Sequence, residues 1–205
     1  KSWSSGWKIV KIYEGGLSAH GGIMGLVVAT VLFARKRNKS FYSIMDIAVL
    51  PSALALALGR FANYINGELY GIPTGGDWGV IFAQAAQPGV TNMPRIPTQL
   101  FESLKNLLAF SILFAFRKRL NKPGLLAWGW VFLYGLFRFV IELWKDYAIL
   151  WKMGDLNFTM GNILCLAMIG ASSFMIYNIY KGDAFVAKSD EKVIVKHGKK
   201  KKRKK

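Results

Sequence analysis

Two arginines stand inside otherwise apolar stretches, Arg60 in LALALGRFANYI and Arg138 in WVFLYGLFRFVIE. A guanidinium keeps its proton at every accessible pH, and placing it within a membrane costs about 2.5–3.5 kcal/mol even on lenient insertion scales. Snorkelling to an interface is one account of Arg60, and an ion pair with Glu142 one turn on is one account of Arg138. Against these, two separate segments each bring a permanent cation. The planar fork of arginine matches a phosphate through two parallel charge-assisted hydrogen bonds. The chemistry this suggests is recognition of an anionic phospholipid head group.

The neighbours extend that reading. Tyr134, Arg138 and Glu142 recur at i, i+4 and i+8, so they share one stripe of a helix and can face a common cavity. Arg60 and Asn63 share a helix face at i, i+3, and the Asn66–Gly67 break then puts Glu68 and Tyr70 in a loop. Irregular backbone at membrane depth is tolerated only where protein or a water-filled cavity covers it, so the break marks a site or its rim. His20 lies among Gly15, Gly16, Gly21, Gly22 and Gly25. Close helix packing accounts for the glycines, and the imidazole is a proton acceptor suited to neutral pH. Glu102, one turn after Gln99, is read either as a capping or interfacial carboxylate or as part of the site.

The elements that must position these groups follow from hydropathy. The chain has 205 residues, 53% of them hydrophobic and 19% charged, which disfavours a water-soluble single domain. Apolar runs near 15–34, 44–63, 100–116, 125–143 and 158–180 each approach the roughly 20 residues that cross a bilayer core. The expected fold is all-α, a polytopic integral membrane helical bundle with about five membrane segments and an outward-facing loop cap. Residues 1–180 form one membrane domain in this reading, and 181–205 a polybasic tail.

The formal net charge of +17 would suggest nucleic acid in a soluble chain, but its placement argues otherwise. Arg35, Lys36, Arg37 and Lys39 follow the first run, Arg117, Lys118, Arg119 and Lys122 follow the third, and eleven more lie in 181–205. Lys1, Lys8, Lys11, Arg95, Lys145 and Lys152 stand at the opposite ends, and Arg60, Lys105 and Arg138 inside segments. By the positive-inside rule the basic loops and tail are cytoplasmic. The N-terminus, about 67–97 and about 144–157 then face outward, with Trp78 and Phe82 as interfacial anchors. The tail is expected to be disordered and to meet anionic lipid; no nucleic-acid partner is expected. The single cysteine, Cys165, excludes an intrachain disulfide and a cysteine metal site. The chain opens in polar sequence without a cleavable-signal pattern and reads as the middle of something longer.

Taken in order, YEGGLSAHGGIMG (13–25), GRFANYINGELYG (59–71), PTQLFE (97–102), YGLFRFVIE (134–142) and MGNIL (160–164) resemble prolipoprotein diacylglyceryl transferase, a bacterial lipoprotein-modifying membrane enzyme. The most specific element is the G-R-x-x-N-x-x-N-G-E run. The resemblance implies transfer of diacylglyceryl from phosphatidylglycerol to the lipobox cysteine of a prolipoprotein signal peptide, with a thioether formed and glycerol phosphate released. It implies a multi-pass protein of the bacterial plasma membrane with no cofactor and no metal. It maps catalytic roles onto His20, Arg60, Arg138 and Glu142, and substrate binding onto Asn63, Glu68, Gly71, Glu102 and Tyr134.

Departures from the family pattern are Ile96 where a histidine is usual, Ala62 where glycine is common, and Trp144–Lys145–Asp146–Tyr147 in place of R-x-P-D. Family members also carry membrane segments before the HGG block, so the resemblance implies that this chain lacks its N-terminal ones. A small membrane anion transporter and a non-catalytic phospholipid-binding scaffold are the rival readings, since both also use embedded arginines and a broken helix.

Overall fold

The computed structural model describes residues 19–83, 93–145, 149–153 and 156–182. Among the described residues, five helices occupy the five apolar runs: α1 (Ala19–Arg37), α2 (Phe41–Ile65), α3 (Thr98–Phe116), α4 (Leu125–Glu142) and α5 (Met160–Lys181). Helices α2 to α5 are long and apolar enough to cross a membrane. The described part of α1, with Arg35, Lys36 and Arg37 in its last turn, is not among those four, and residues 15–18 of its expected run lie outside the described residues.

Burial is inverted relative to a water-soluble domain. Among the largest fully buried side chains are Gln99, Glu102, Glu142, Asn106 and Asn162, while Ile47, Leu58, Leu164 and Phe174 are exposed. Polar groups turned inward and aliphatic groups turned outward are what a hydrocarbon solvent selects, so this is a multi-pass membrane protein.

Close packing rests on small residues. Ala53 and Ala57 of α2 and Ala109 of α3 are buried, and Ser103 Oγ of α3 donates to the Ala57 carbonyl at 2.9 Å. At Gly135 of α4, an added Cβ would lie 3.1 Å from Ile169 Cγ1 and 3.3 Å from the Cys165 carbonyl of α5. Such approach of two backbones is how membrane helices gain contact without a hydrophobic drive between them.

The helix ends are fixed by capping. The first turn of α4, introduced by Gly124 at φ 93°, is capped from α2: Asp46 accepts from Gly124 N at 2.7 Å and Ala127 N at 2.8 Å. Nearby, Lys122 Nζ donates to the Ile179 and Tyr180 carbonyls at the end of α5, both at 3.2 Å. This end of the bundle also carries Arg117–Arg119 and Lys181.

At the other end, α2 stops where expected, at Asn66 followed by Gly67 at φ 67°. The connection to α3 is held by short bridges, Pro73 and Val80 each pairing with Arg95, and Gly71 pairing with Lys145 beyond α4. Trp78 is exposed, but Phe82 is buried beside Tyr64 and Tyr70, with ring centroids 5.9 and 5.5 Å away, and so does not anchor at an interface. Part of the segment expected as an outward loop at 144–157 forms an antiparallel hairpin, β1 (Ile149–Met153) with β2 (Leu156–Thr159). Its sequence signal was Gly154–Asp155 between two runs rich in β-formers. Residues 158 and 159 therefore end a strand rather than begin the last helix.

Candidate functional site

Four chain segments meet at one carboxylate. Glu102, on the second turn of α3, is fully buried and receives Arg60 Nε of α2 at 2.6 Å, Lys145 Nζ beyond α4 at 2.7 Å, and Arg138 Nη1 of α4. Arg138 turns its Nη2 to Glu142 Oε2, one turn on, at 2.8 Å. Its fork is thus held between two carboxylates, whereas Arg60 spends its inner nitrogen and keeps a side chain one quarter exposed. Three cations around one buried carboxylate form a positive surface that no hydrocarbon would tolerate without hydrogen bonds and counter-charge.

Glu142 is positioned in turn by α5. Its Oε1 accepts from Thr159 Oγ1 at 3.0 Å, and Thr159 caps α5 through Gly161 N at 3.1 Å while its own N–H donates to Asn162 Oδ1 at 2.9 Å. Asn162 Nδ2 reaches back to the Phe139 carbonyl of α4 at 3.2 Å. Gly161 leaves the space the Glu142 carboxylate occupies; any Cβ there would overlap it. The MGNIL block thereby has a local physical purpose: glycine admits the carboxylate and asparagine completes the cap.

The loop after α2 lies against the start of α3. Gln99 Nε2 donates to the Glu68 carbonyl at 2.7 Å and Thr98 Oγ1 to the Leu69 carbonyl at 3.2 Å. These bonds hold Leu69 at φ 57°, a conformation costly for a bulky residue and one that clusters at functional sites. Asn63 Nδ2 donates to Glu68 Oε2 at 3.2 Å, so the two expected partners meet at the exposed mouth of the loop. Gly71 admits no side chain, since a Cβ would stand 2.6 Å from the Trp144 carbonyl and 2.7 Å from Thr98 Cγ2. That close approach brings the 67–73 loop alongside Lys145, with Ile72 N donating to the Trp144 carbonyl at 3.1 Å.

Of the expected residues, Arg60, Glu102, Arg138 and Glu142 form one connected network, with Asn63 in the last turn of α2 and Glu68 and Gly71 on the adjoining loop. Tyr134 lies one turn from Arg138 on the same face, under the ammonium of Lys105, which sits 3.6 Å from its ring centroid. His20 falls in the first turn of α1, and its side chain lies outside the described residues. Two members were not singled out from sequence. Lys145 continues the 134, 138, 142 stripe by i+3, and Lys105 follows Glu102 by i+3, so helical spacing could have found both.

The fold and this site define a class: a polytopic membrane protein with a buried, cation-rich polar centre at one end of its helices. A family model described as prolipoprotein diacylglyceryl transferase matches residues 2–178. Relatives named phosphatidylglycerol–prolipoprotein diacylglyceryl transferase include one from Geobacter sulfurreducens, 38% identical over 162 residues, 78% of this chain and 60% of that protein. Those from Oleidesulfovibrio alaskensis and Rickettsia rickettsii are 39% and 42% identical, over 78% and 82% of this chain and 59% and 64% of their own. The chain belongs to the prolipoprotein diacylglyceryl transferase family. It spans about six-tenths of the length of these relatives.

Proposed function

We propose that this chain carries the site that transfers the diacylglyceryl group of phosphatidylglycerol to the lipobox cysteine of a prolipoprotein. The observation that carries this reading is the convergence of Arg60 and Arg138, borne by different helices, on Glu102 at one end of the membrane domain. The reaction is displacement at an sp3 carbon. The cysteine sulfur forms a bond to the terminal glycerol carbon, the carbon–oxygen bond to phosphate breaks, and glycerol phosphate leaves with the electron pair.

A thiol attacks as thiolate, and charge grows on the departing phosphate, so a proton acceptor and fixed cations both lower the barrier. Arg60 presents its outer nitrogens to the phosphate. Arg138, clamped by Glu102 and Glu142, supplies a fixed positive field beside the leaving oxygen. Glu102 serves by gathering the cations, Asn63 and Glu68 by placing the glycerol hydroxyls, Gly71 by closing the loop on Lys145, and Tyr134 by walling the inner side. His20 takes the thiol proton.

Residues 1–180 form the transferase domain and 181–205 a cytoplasmic basic tail in this proposal. The site lies at the end of the bundle opposite Arg117–Arg119 and Lys122, so the positive-inside rule directs it to the outer leaflet of a bacterial plasma membrane. Incubation of the protein with phosphatidylglycerol and a lipobox peptide tests the reading: a diacylglyceryl mass increment on cysteine is expected. Anion flux through liposomes with an unmodified peptide would support a transporter instead, and lipid binding with an unmodified peptide a scaffold.

A further inference from the structure

Lys105 is the buried cation that the proposed chemistry has not used. It lies inside α3, one turn deeper than Glu102, about 4.5 Å further along the axis, and only 4% of it is exposed. Its ammonium stacks 3.6 Å from the centroid of the Tyr134 ring and donates to Asn106 Oδ1 at 3.2 Å. Asn106 is itself buried. The charged and titratable groups within electrostatic reach are Glu102, Arg138, Arg60 and the Cys165 thiol. No carboxylate of the described residues lies within ion-pair distance of Lys105, because Glu102 faces Arg60, Arg138 and Lys145, and Glu142 faces Arg138.

An ammonium carries three N–H donors, and of the described residues only Asn106 accepts one of them. Contact with an aromatic face steadies the charge without neutralising it. An ammonium at this depth, beside Arg138 and Arg60 and without a carboxylate of its own, is therefore stabilised by a guest that brings negative charge to the inner side of the site. A phosphodiester does so: its non-bridging oxygens diverge, so the outer cations can take one while a donor one turn deeper takes the other.

We propose that Lys105 is a head-group ligand that makes this site select phospholipids of net negative charge over zwitterionic ones. The inference rests on the lipid-site reading above, but not on turnover. The Lys105 ammonium would contact a phosphate oxygen directly, with Tyr134 and Asn106 as its positioning residues. In a head group that carries its own ammonium, that second cation meets the cations gathered around Glu102 as well as Lys105, and binding weakens.

The test uses the complete protein in detergent micelles, titrated separately with phosphatidylglycerol, phosphatidylethanolamine, diacylglycerol and sn-glycerol phosphate, with affinity read from the shift in thermal unfolding. For the unmodified protein, phosphatidylglycerol is expected to bind at least tenfold more tightly than phosphatidylethanolamine. K105M should lose most of that ratio, K105R should recover it, and binding of uncharged diacylglycerol should not change. A ratio unchanged in K105M overturns the proposal, as does an equal loss for all three lipids, which would mark Lys105 as a packing residue.

If K105M is not recovered folded, K105Q, which keeps a donor for Asn106 without the charge, decides by the same ratio. Tighter binding of sn-glycerol phosphate than of the lipid would give the subsite to a soluble phosphate and overturn the lipid assignment. Selective lipid binding without peptide modification would sink the transferase reading while leaving the role of Lys105 standing.

Discussion

Replacing Glu102 by glutamine removes one charge and almost no volume, and it isolates what holds the polar centre together. In the native protein the carboxylate receives Arg60 at 2.6 Å, Lys145 at 2.7 Å and Arg138, and its side chain is 1% exposed. The Lys145 side chain is equally buried, that of Arg138 is 15% exposed and that of Arg60 25%. Breaking a buried ion pair from one side costs roughly 3–5 kcal/mol, because the partner charge stays behind. Here Lys145 loses its Glu102 contact in the most buried surroundings, Arg138 keeps Glu142, and the more exposed Arg60 regains some solvation.

A destabilisation of about 3 kcal/mol is therefore expected. At roughly 2–4 °C per kcal/mol for a chain of this size, that lowers the melting temperature by about 6–12 °C. Thermal unfolding followed by tryptophan fluorescence in detergent measures it. Added phosphatidylglycerol should restore E102Q more than it stabilises the native protein, because a phosphate can then occupy the vacated counter-charge position. Melting of E102Q within about 2 °C of the native protein would refute the reasoning, since a drop that small is worth no more than about 1 kcal/mol.

Arg138→Lys keeps the charge but cannot hold Glu102 and Glu142 at once. Turnover in the peptide assay should fall about a hundredfold, and native rates would remove Arg138 from the mechanism. Gly161→Ala drives a methyl group into the Glu142 carboxylate; a loss of about 1–3 kcal/mol in unfolding, together with reduced turnover, is expected. Asp46→Ala, at the opposite end of the bundle, strips two backbone N–H groups of α4 of their acceptor. It should cost about 1–2 kcal/mol in unfolding while phosphatidylglycerol affinity stays at the native value.

Much of this arrangement is legible in the sequence because membrane helices advertise themselves. Long apolar runs gave the helices to within a few residues, and the Asn66–Gly67 break is where α2 ends. The stripe of Tyr134, Arg138 and Glu142 faces a common polar centre because helical periodicity leaves little choice. Less was legible where partners come from distant segments. Nothing local to PTQLFE says that Glu102 collects cations from α2, α4 and the residue beyond α4; that is a property of how three elements pack. In the sequence Lys105 stands out only as a charge, and Lys145 only as a charge and as part of a departure from the family pattern, although each extends a polar stripe by one turn. The β1–β2 hairpin is not legible in hydropathy, because its signal is turn chemistry within a segment whose polarity marks a loop. An aromatic residue between membrane segments usually anchors at an interface, which is the expectation for Phe82, whereas here the ring packs on Tyr64 and Tyr70.

In the proposed reaction these gathered cations assist departure of a phosphate from a lipid as sulfur takes its carbon. It is tested most directly by giving the protein phosphatidylglycerol labelled in its head-group glycerol, together with a lipobox peptide, and quantifying both products. One labelled glycerol phosphate released for each cysteine thioether formed, and neither product from a peptide with serine in place of cysteine, is the expected result. Glycerol phosphate released without thioether, or a modified peptide with the label still lipid-bound, would contradict it.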